Sequence, residues 1–534
     1  MRKKRILSLA LACLLVLLSA ATALAEESIP NFNAEGYPIC PDEKVTLRVM
    51  IQSRAEMPSD LNMQEIHQRA EEIMNVHIEW IMVPAEGWNE KKNLMLATGD
   101  LPDIIESKIN ESDLTRYGPE GTFVELTDLI DKYAHNINKL MDTEMPELRS
   151  FNTAPDGNIY SLFRVNSGPW MTTNGVGMMN MQWLKDLNLE APKTLDEFTN
   201  VLRAFKNGDP NGNGIADEIP LTFAKRIFEN FGLGYIFSFF GLGIGGQAFN
   251  QTFADISDGK VVCLGVADEY RDAVRYLSEL YKEGLLDVEG FTLEDAQLFS
   301  KLNQEPCIVG VGQMWDINDS VSNPNNLAAY DYYPMVSAYE GKDPVFYRQP
   351  LPGTYRGWGT ITSACEHPEV AMRWLDYWFD EDNTIENIEG PLGVRVLENP
   401  DGTLYVRKPP EGLTVAEDRF ANCRGGILAA TVSMYANRLK LPSTDKKVAF
   451  VEEYCHPFAD PDPMMPVFYT AEEAETMGIL QSDLRTYIER RTSEWIINGK
   501  IDAEWDAYLE EINRVGLPQW LEINQAAYDR YMAN

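Results

Sequence analysis

The ten residues from Asp209 to Glu218 carry the most specific chemical pattern in the chain. Side chains with oxygen atoms stand at loop positions 1, 3, 5 and 9, and a glycine stands at position 6, where a calcium-binding loop turns sharply. Calcium takes about six to eight hard oxygen ligands, and a main-chain carbonyl supplies the one at position 7. The spacing therefore predicts a structural calcium ion and these ligands: Asp209, Asn211, Asn213, Ile215 through its carbonyl, Asp217 and Glu218.

The loop departs from the usual calcium pattern at position 12, where Pro220 replaces the bidentate glutamate. Glu218, two residues earlier, is the natural substitute. A loop with fewer standard ligands is expected to bind weakly, with a dissociation constant on the order of 10⁻⁴ to 10⁻³ M, as in extracellular modules. The alternative interpretation is an Asn-Gly turn after a helix, which needs no metal.

Motifs of catalysis are absent from the sequence. The five histidines do not form an H-E-x-x-H pattern, and neither a G-x-S-x-G elbow nor a phosphate-binding loop occurs. A glycosidase needs two carboxylates at a defined separation, which a sequence with 82 acidic residues cannot reveal. We therefore predict that the chain is not an enzyme, and a secreted carbohydrate-active hydrolase remains the alternative.

Aromatic residues in loops and at the ends of predicted elements are the second group of residues that could bind a ligand. Sugar rings stack their C–H faces on tryptophan and tyrosine, while polar side chains bond the hydroxyls. Residues 353–359 combine two ring faces, a guanidinium and flexible backbone. The alternative is that these rings only fill space between lobes. The candidate ligand-binding residues are Trp88, Ser107, Trp170, Trp315, Tyr355, Arg356 and Trp358.

Alternating strands and helices are predicted to position these residues. Strand patterns at 45–51, 77–83 and 102–106 are separated by helical patterns at about 59–73 and 88–96. This order indicates a parallel sheet with helices on both faces, and such sheets bind ligands beyond the carboxyl ends of their strands. Ser107 lies there, directly after the third strand.

A second α/β stretch begins near Val176, and the last predicted helices cover 471–498 and 503–532, with a break at 516–518. We find no internal repeat and no long flexible linker. Two lobes joined by several crossings are therefore expected, rather than separate domains on a string.

The first 25 residues read as a signal peptide. A basic stretch at 2–5 precedes an apolar run, and Ala23-Leu24-Ala25 ends it as a cleavage site. About 20 such residues could instead span a bilayer, and Cys13 offers a less favoured lipid anchor. Cleavage predicts an extracytoplasmic protein, secreted or at the cell surface.

The charge balance limits the partners of the chain. It holds 46 Lys and Arg against 82 Asp and Glu, a net charge of −36 at pH 7. Removing the four basic residues of the signal peptide makes this 42 − 82 = −40. Phosphate surfaces repel so acidic a protein, which argues against nucleic acid as a partner.

Several segments resemble extracellular solute-binding proteins of ABC importers of the sugar-binding type. The similar segments are 88–105, 179–189, the loop 209–220, 367–377, 505–508 and 527–531. The loop resembles that of the longer oligosaccharide-binding branch, in which alginate-binding proteins hold calcium at this place.

The resemblance implies an α/β fold of two lobes, each with a mainly parallel sheet and helices on both faces, closing on a ligand in the cleft. It places the first lobe at 41–172 with 318–388 and the second at 173–317 with 389–534. The implied function is capture of a carbohydrate, an oligosaccharide above all, by a monomer that delivers it to a membrane permease. An anionic sugar would require a local positive pocket from Arg356, Arg164 or Lys108, and the overall charge argues mildly against it.

Overall fold

The structure is a computed structural model that describes residues 29–168, 175–245, 252–413, 415–441 and 445–533. The predicted signal peptide 1–25 with Cys13, and the candidate ligand residue Trp170, lie outside the described residues. Among the helices of the described part, none is long and apolar enough to cross a membrane.

The N-terminal part confirms the predicted alternation of strands and helices. The first strand, Val45–Ser53, pairs in parallel with the next two strands of the chain, one on each side. Parallel pairing is possible because a helix brings the chain back after each strand. The elements are β1 (Val45–Ser53), α1 (Glu65–Met74), β2 (Val76–Pro84), α2 (Trp88–Thr98), β3 (Ile104–Ile105), α3 (Glu111–Tyr117), α4 (Thr127–Tyr133), α5 (His135–Thr143), α6 (Glu147–Asn152) and β4 (Leu162–Asn166).

The middle part forms a second four-stranded sheet in the order β10-β5-β9-β6. A side-chain cap begins α8, since the Thr194 hydroxyl accepts a hydrogen bond from the Glu197 N–H. The elements are β5 (Val176–Asn180), α7 (Met181–Asp186), α8 (Leu195–Asn207), β6 (Ile219–Leu221), α9 (Gly234–Phe239), β7 (Ala254–Ser257), β8 (Lys260–Cys263), α10 (Asp268–Lys282), α11 (Asp295–Leu302), β9 (Val309–Met314), α12 (Ile317–Ser320), α13 (Pro324–Ala329) and β10 (Tyr330–Tyr332).

The prediction of a mainly parallel sheet in each lobe is correct for the first sheet and wrong for the second. In the second sheet β5 pairs antiparallel with both β9 and β10, and only β6 with β9 is parallel. Both β5 and β9 are buried along their whole length. Such apolar runs are typical of parallel strands but do not encode direction, which depends on how the distant chain returns.

The C-terminal part returns to the first sheet and ends in long helices. The predicted break is confirmed at Gly516, whose φ of 126° separates the last two helices. The elements are β11 (Thr354–Trp358), β12 (Thr360–Ile361), α14 (Pro368–Tyr377), α15 (Glu381–Glu389), β13 (Val396–Glu398), β14 (Leu404–Val406), α16 (Val415–Phe420), β15 (Ala429–Ala430), α17 (Val432–Asn437), β16 (Leu439–Lys440), α18 (Asp445–Tyr454), α19 (Ala471–Asn498), α20 (Ile501–Val515) and α21 (Leu517–Ala533).

Two large hydrophobic clusters form the cores of the molecule. The larger one is built from buried residues within 176–346 and 451–527, around the second sheet. The other is built from residues within 39–165 and 351–429, around the first sheet, where β12 adds an antiparallel edge strand to β3. Each sheet thus has its own core, as expected for two lobes. The lobe boundaries stated above stay a prediction.

Candidate functional site

The carboxyl ends of β1 and β3 lie side by side at one edge of the first sheet. The main-chain N–H of Gln52 donates a hydrogen bond of 2.8 Å to the Ser107 hydroxyl, which joins the two strand ends. Ser107 is buried, whereas Arg54, just beyond β1, is exposed. Ligands of parallel sheets bind beyond this kind of edge. The buried Ser107 would therefore lie at the base of such a ligand site, and the exposed Arg54 at its margin.

Trp88 packs against the segment that follows β3 and against one face of the sheet. It begins α2 and is only 5% exposed, and its indole N–H donates to the carbonyl of Lys108 at 3.3 Å. The ring packs in a small apolar cluster beneath the sheet. Trp88 therefore holds the segment that follows β3 and offers no open ring face.

A buried ion pair fixes a distant segment against the same edge. The Glu106 carboxylate binds the Arg424 guanidinium at 2.7 Å and accepts a hydrogen bond from the Ile427 N–H. Three tryptophan rings surround Arg424, at 4.4–5.5 Å from their centroids. Burial raises the pKa of Glu106 and lowers that of Arg424, because desolvation opposes each charge. The pair anchors residues 424–427 beside Ser107.

The ribbon of β4 and β11 carries ring faces and an arginine to this region. Tyr355 lies opposite Arg164 in the pairing register, and the Arg164 guanidinium stacks 5.3 Å above the Trp358 ring. Tyr355 is 36% exposed and Trp358 is half-buried. The Trp358 indole N–H is buried and has no hydrogen-bond acceptor among the described residues. These two residues are the sequence-predicted candidates that keep accessible ring surface near the strand ends.

Arg356, between them in sequence, points the other way. It is 5% exposed, and all five of its N–H groups have acceptors. Its guanidinium also stacks between two phenylalanine rings, each 4.1 Å from the centroid. It therefore joins three chain segments and has no donor left for a sugar hydroxyl. Its acceptors are the Phe151, Pro466 and Val467 carbonyls and the Glu111 carboxylate.

On the second sheet, Trp315 directly follows the carboxyl end of β9. It is half-buried, and the ammonium group of Lys447 lies 3.9 Å above its ring. Trp315 and Trp358 thus each have one face against a cation, in a contact that the ring quadrupole stabilises. We call Trp358 with Tyr355 one ring platform and Trp315 the other. In each of them a cation lies over one face of the tryptophan ring.

Sequence reasoning named Arg164 as a possible positive group but missed Arg54 and Arg419, which lie in the same region. Arg54 and Arg419 both lie over the Phe420 ring, at 4.8 and 5.3 Å. Burial lowers the pKa of Arg164, and the positive charges of Arg419 and Arg54 lower it further. We call Arg54, Arg164 and Arg419 the arginine cluster. Its members are hundreds of residues apart, so only the adjacent pair Arg419-Phe420 offers a local signal of cations beside rings.

The loop 209–218 is closed by its own hydrogen bonds and by two glycines. Gly212 and Gly214 have φ angles of 69° and 74°, which favour glycine, and the Gly214 N–H donates to the Asp209 carboxylate at 3.1 Å. The Asn211 and Asn213 amides donate to Asp217, and the Ile215 carbonyl accepts from the Asp217 N–H.

The acidic side chains of this loop are chemically suited to a cation. One Glu218 carboxylate oxygen is buried and has no hydrogen-bond partner among the described residues. Burial raises the pKa of Glu218, and the charges of Asp217 and Asp209 add to this. A cation would relieve both effects, so the residues fit the group. Among the described residues, no three or more His, Cys, Asp and Glu side chains are grouped to hold a metal, so amide and carbonyl oxygens would have to complete the site.

These features define a molecule with two four-stranded sheets and with partly exposed aromatic rings near the strand ends, and comparison with known proteins supplies the class. The model of the bacterial extracellular solute-binding protein family matches residues 61–385. The chain belongs to this family. Its members capture solutes and carry out no chemistry on them, which confirms the expectation that the chain is not an enzyme.

Among individual relatives, the chain is 34% identical over 540 residues to the fructooligosaccharide ABC transporter substrate-binding protein FusA of Streptococcus pneumoniae, with 97% of each chain covered. The structure of FusA in complex with kestose superposes with a TM-score of 0.73 at 33% identity, over 92% of this chain and 100% of that one. A FusA EF-hand mutant in complex with fructo-nystose superposes equally well.

A third similar structure is that of the alginate-binding protein AlgQ2 without calcium ion. It has a TM-score of 0.63 at 25% identity and covers 93% of this chain and 100% of that chain. The two-lobed α/β fold predicted from the sequence is confirmed by these comparisons and by the two sheets with separate cores.

Proposed function

We propose that this protein captures an oligosaccharide outside the cytoplasm and delivers it to the membrane permease of an ABC importer. The observation that carries the proposal is the pair of ring platforms, Trp358 with Tyr355 and Trp315, at the strand ends of the two sheets. Sugar rings stack on such faces, and the relative FusA is named for fructooligosaccharides. The signal peptide 1–25 and a monomeric state are part of the proposal.

The two cores support a revised division of the lobes. We place 29–168 and 351–441 in the first lobe, and 175–346 and 445–533 in the second. In support, β10 pairs with the second sheet and β15 pairs with β4. No buried residue of the larger cluster falls within 351–441. In this division the chain changes lobe between 346 and 351, and the residues around 466 contact the first lobe again through Arg356.

Binding would work through closure of the two lobes. The Trp315 platform and the Trp358 platform belong to different lobes in this division, so a sugar chain that contacts both stabilises the closed arrangement. A ligand that binds the closed state more tightly shifts the population toward it. Arg356 and the pair of Glu106 with Arg424 keep the first-lobe platform rigid, which lowers the entropy lost on binding.

The test is a calorimetric binding panel on the mature chain, with kestose, maltotriose, lactose and trigalacturonate as oligosaccharides and their monosaccharides as controls. We expect at least one oligosaccharide to bind with a 1:1 stoichiometry and to raise the melting temperature by mass action. We also expect the oligosaccharide to be recovered unchanged. Release of shorter sugars, or no binding by any carbohydrate, would contradict the proposed function.

Calcium is the second part of the proposal, held by Asp209, Asn211, Asn213, the Ile215 carbonyl, Asp217 and Glu218. When bound, the ion neutralises the clustered carboxylates and holds the loop after α8 in one shape. It is supported by the Glu218 oxygen that has no partner among the described residues, and by the similar structures of a FusA EF-hand mutant and of AlgQ2 without calcium ion. The role is structural, because the loop begins two residues after the end of α8 and the ring platforms belong to other segments.

Adding calcium to chelator-treated protein should therefore raise its melting temperature. At about ten times the dissociation constant the ion stabilises the folded state by about 1.4 kcal/mol, or about 3 °C for a lobe of this size. Asp217→Asn should abolish the rise, whereas the exposed Asp142→Asn on α5, with the same change in charge, should keep it. A melting temperature that calcium and chelator leave unchanged in the wild-type protein would refute the assignment.

A further inference from the structure

Two members of the arginine cluster lack the acidic partners that the composition of the chain would lead one to expect. Acidic residues outnumber basic ones by 82 to 46. Even so, no carboxylate of the described residues lies within ion-pair distance of Arg164 or Arg54. The only protein acceptor of Arg164 in the described chain is the Gly426 carbonyl, 3.2 Å from Nε. Arginines in so acidic a chain have many possible carboxylate partners, so two without one at the same site are unusual.

The third arginine is only partly neutralised. Arg419 donates to the Ile388 carbonyl at 2.6 Å, and its distance to the Glu389 carboxylate is 3.5 Å. Arg395 lies nearer to the same carboxylate, at 2.7 Å. Glu389 therefore pairs with both arginines through different oxygens, and Arg395 has a second carboxylate partner in Asp418. Arg419 is thus the most neutralised member of the cluster, and Arg54, which shares the Phe420 ring with it, keeps its full charge.

Trp358 and Arg164 both present hydrogen-bond donors that the described residues leave unused. The indole N–H of Trp358 is buried and has no acceptor in this part of the chain, and the half-buried Arg164 guanidinium donates there only from Nε, to the Gly426 carbonyl. Arg164 stacks on that indole, so these donors lie around the ring platform on which a sugar would rest. A buried donor without an acceptor costs free energy, and a ligand that brings acceptor oxygens to this place makes hydrogen bonds that the protein alone does not. An ionised oxygen recovers more than a hydroxyl, because it also offsets the repulsion between the guanidinium groups.

We propose that the oligosaccharide taken by this site carries an oxyanion, either a sugar carboxylate or a sulfate or phosphate ester, which Arg164 receives on the Trp358 platform. Arg54 and Arg419 flank the same position and add attraction at longer range. The inference rests on the proposed function, because it specifies the chemistry of the same ligand. It also makes the site an exception to the acidic character of the rest of the chain.

The test compares two matched pairs of ligands by calorimetry. Trigalacturonate and its methyl ester differ in the carboxylate charge and in the small methyl groups that remove it, and sulfated lactose and lactose differ only in the sulfate ester. We expect the acidic member of one pair to bind at least about tenfold more tightly than its neutral counterpart, the usual advantage of a charge-assisted hydrogen bond. Which pair shows it identifies the source of the oxyanion. The advantage should shrink as salt is raised.

Three charge-removing variants complete the experiment. Arg164→Gln and the exposed Arg54→Gln should reduce the preference for the acidic ligand, whereas Arg514→Gln, a surface change on α20 of equal charge, should preserve it. Arg54→Gln keeps the test valid if Arg164→Gln does not fold. Equal or tighter binding of the neutral members, or of kestose alone, overturns the inference and leaves the proposed function standing. If no carbohydrate of any kind binds, both are overturned.

Discussion

Replacing Arg356 by methionine should lower the free energy of unfolding by about 3–5 kcal/mol, the usual cost of removing one partner from a buried charged network. The substitution keeps much of the apolar bulk between the two phenylalanine rings but removes every donor. The carbonyls of Phe151, Pro466 and Val467 would then lose their charge-assisted hydrogen bonds inside the protein. Chemical denaturation of the full chain, followed by tryptophan fluorescence, measures the change.

A surface arginine provides the matched control. Arg203 binds Glu283 through two hydrogen bonds of 2.7 Å, but both side chains are more than 40% exposed. Exposed pairs contribute about 0–1 kcal/mol, so Arg203→Met should have a small effect. Arg356→Lys should fall between the two, since an ammonium group keeps the charge but cannot reach three carbonyls in a planar fork. Equal losses in Arg356→Met and Arg203→Met would show that the network does not stabilise the fold.

The case of Arg356 shows where sequence reasoning about the site reaches its limit. Residues 353–359 were predicted to bind ligand because rings, a guanidinium and glycines occur together there. In the structure Tyr355 and Trp358 keep accessible ring surface, while Arg356 is turned into the protein. Alternation along a strand sends successive side chains to opposite faces, but a sequence does not say which face meets the core. That choice depends on β4, nearly 200 residues earlier.

The fold could be predicted from the sequence more completely than the site, because the patterns that indicate strands and helices are local. Period-two alternation in β1 and the helical patterns of α2 and α19 need only their own residues, and all three form where expected. The direction of β5 and the return of β10 to the second sheet depend on contacts between segments more than 100 residues apart. The arginine cluster is of the same kind, since β-pairing and α16 assemble it from remote positions.

The loop 209–218 lies between the elements that local patterns predict and the site residues that depend on distant contacts. Its ligands stand within ten residues, so spacing alone predicts them, and its glycines adopt the left-handed angles that the pattern requires. The buried and unpaired oxygen of Glu218, however, becomes visible only in three dimensions. It supports the suggestion that Glu218 replaces the missing ligand at position 12.

Truncating the ring platforms should have the largest effect on ligand binding. We expect Trp358→Ala to weaken the binding of the oligosaccharide by about 2 kcal/mol, or about 30-fold, as for other aromatic anchors. Trp315→Ala should have a similar effect. The reason is that each ring lies at a strand end with one face held by a cation, Arg164 or Lys447, which leaves the other face for a sugar. Calorimetry with the best ligand of the panel measures both.

Two further variants separate stacking from hydrogen bonding and from general damage. Trp358→Phe keeps a ring but removes the indole N–H, so it should retain most of the affinity if stacking dominates and lose about tenfold if the unpaired donor binds an ionised oxygen. Trp88→Phe, beneath the sheet and without an open face, should bind as the wild type does. If the alanine variants also bound as the wild type does, these rings would not line the site. Because the platforms belong to different lobes in our division, the double alanine variant should also remove the rise in melting temperature that ligand-driven closure produces.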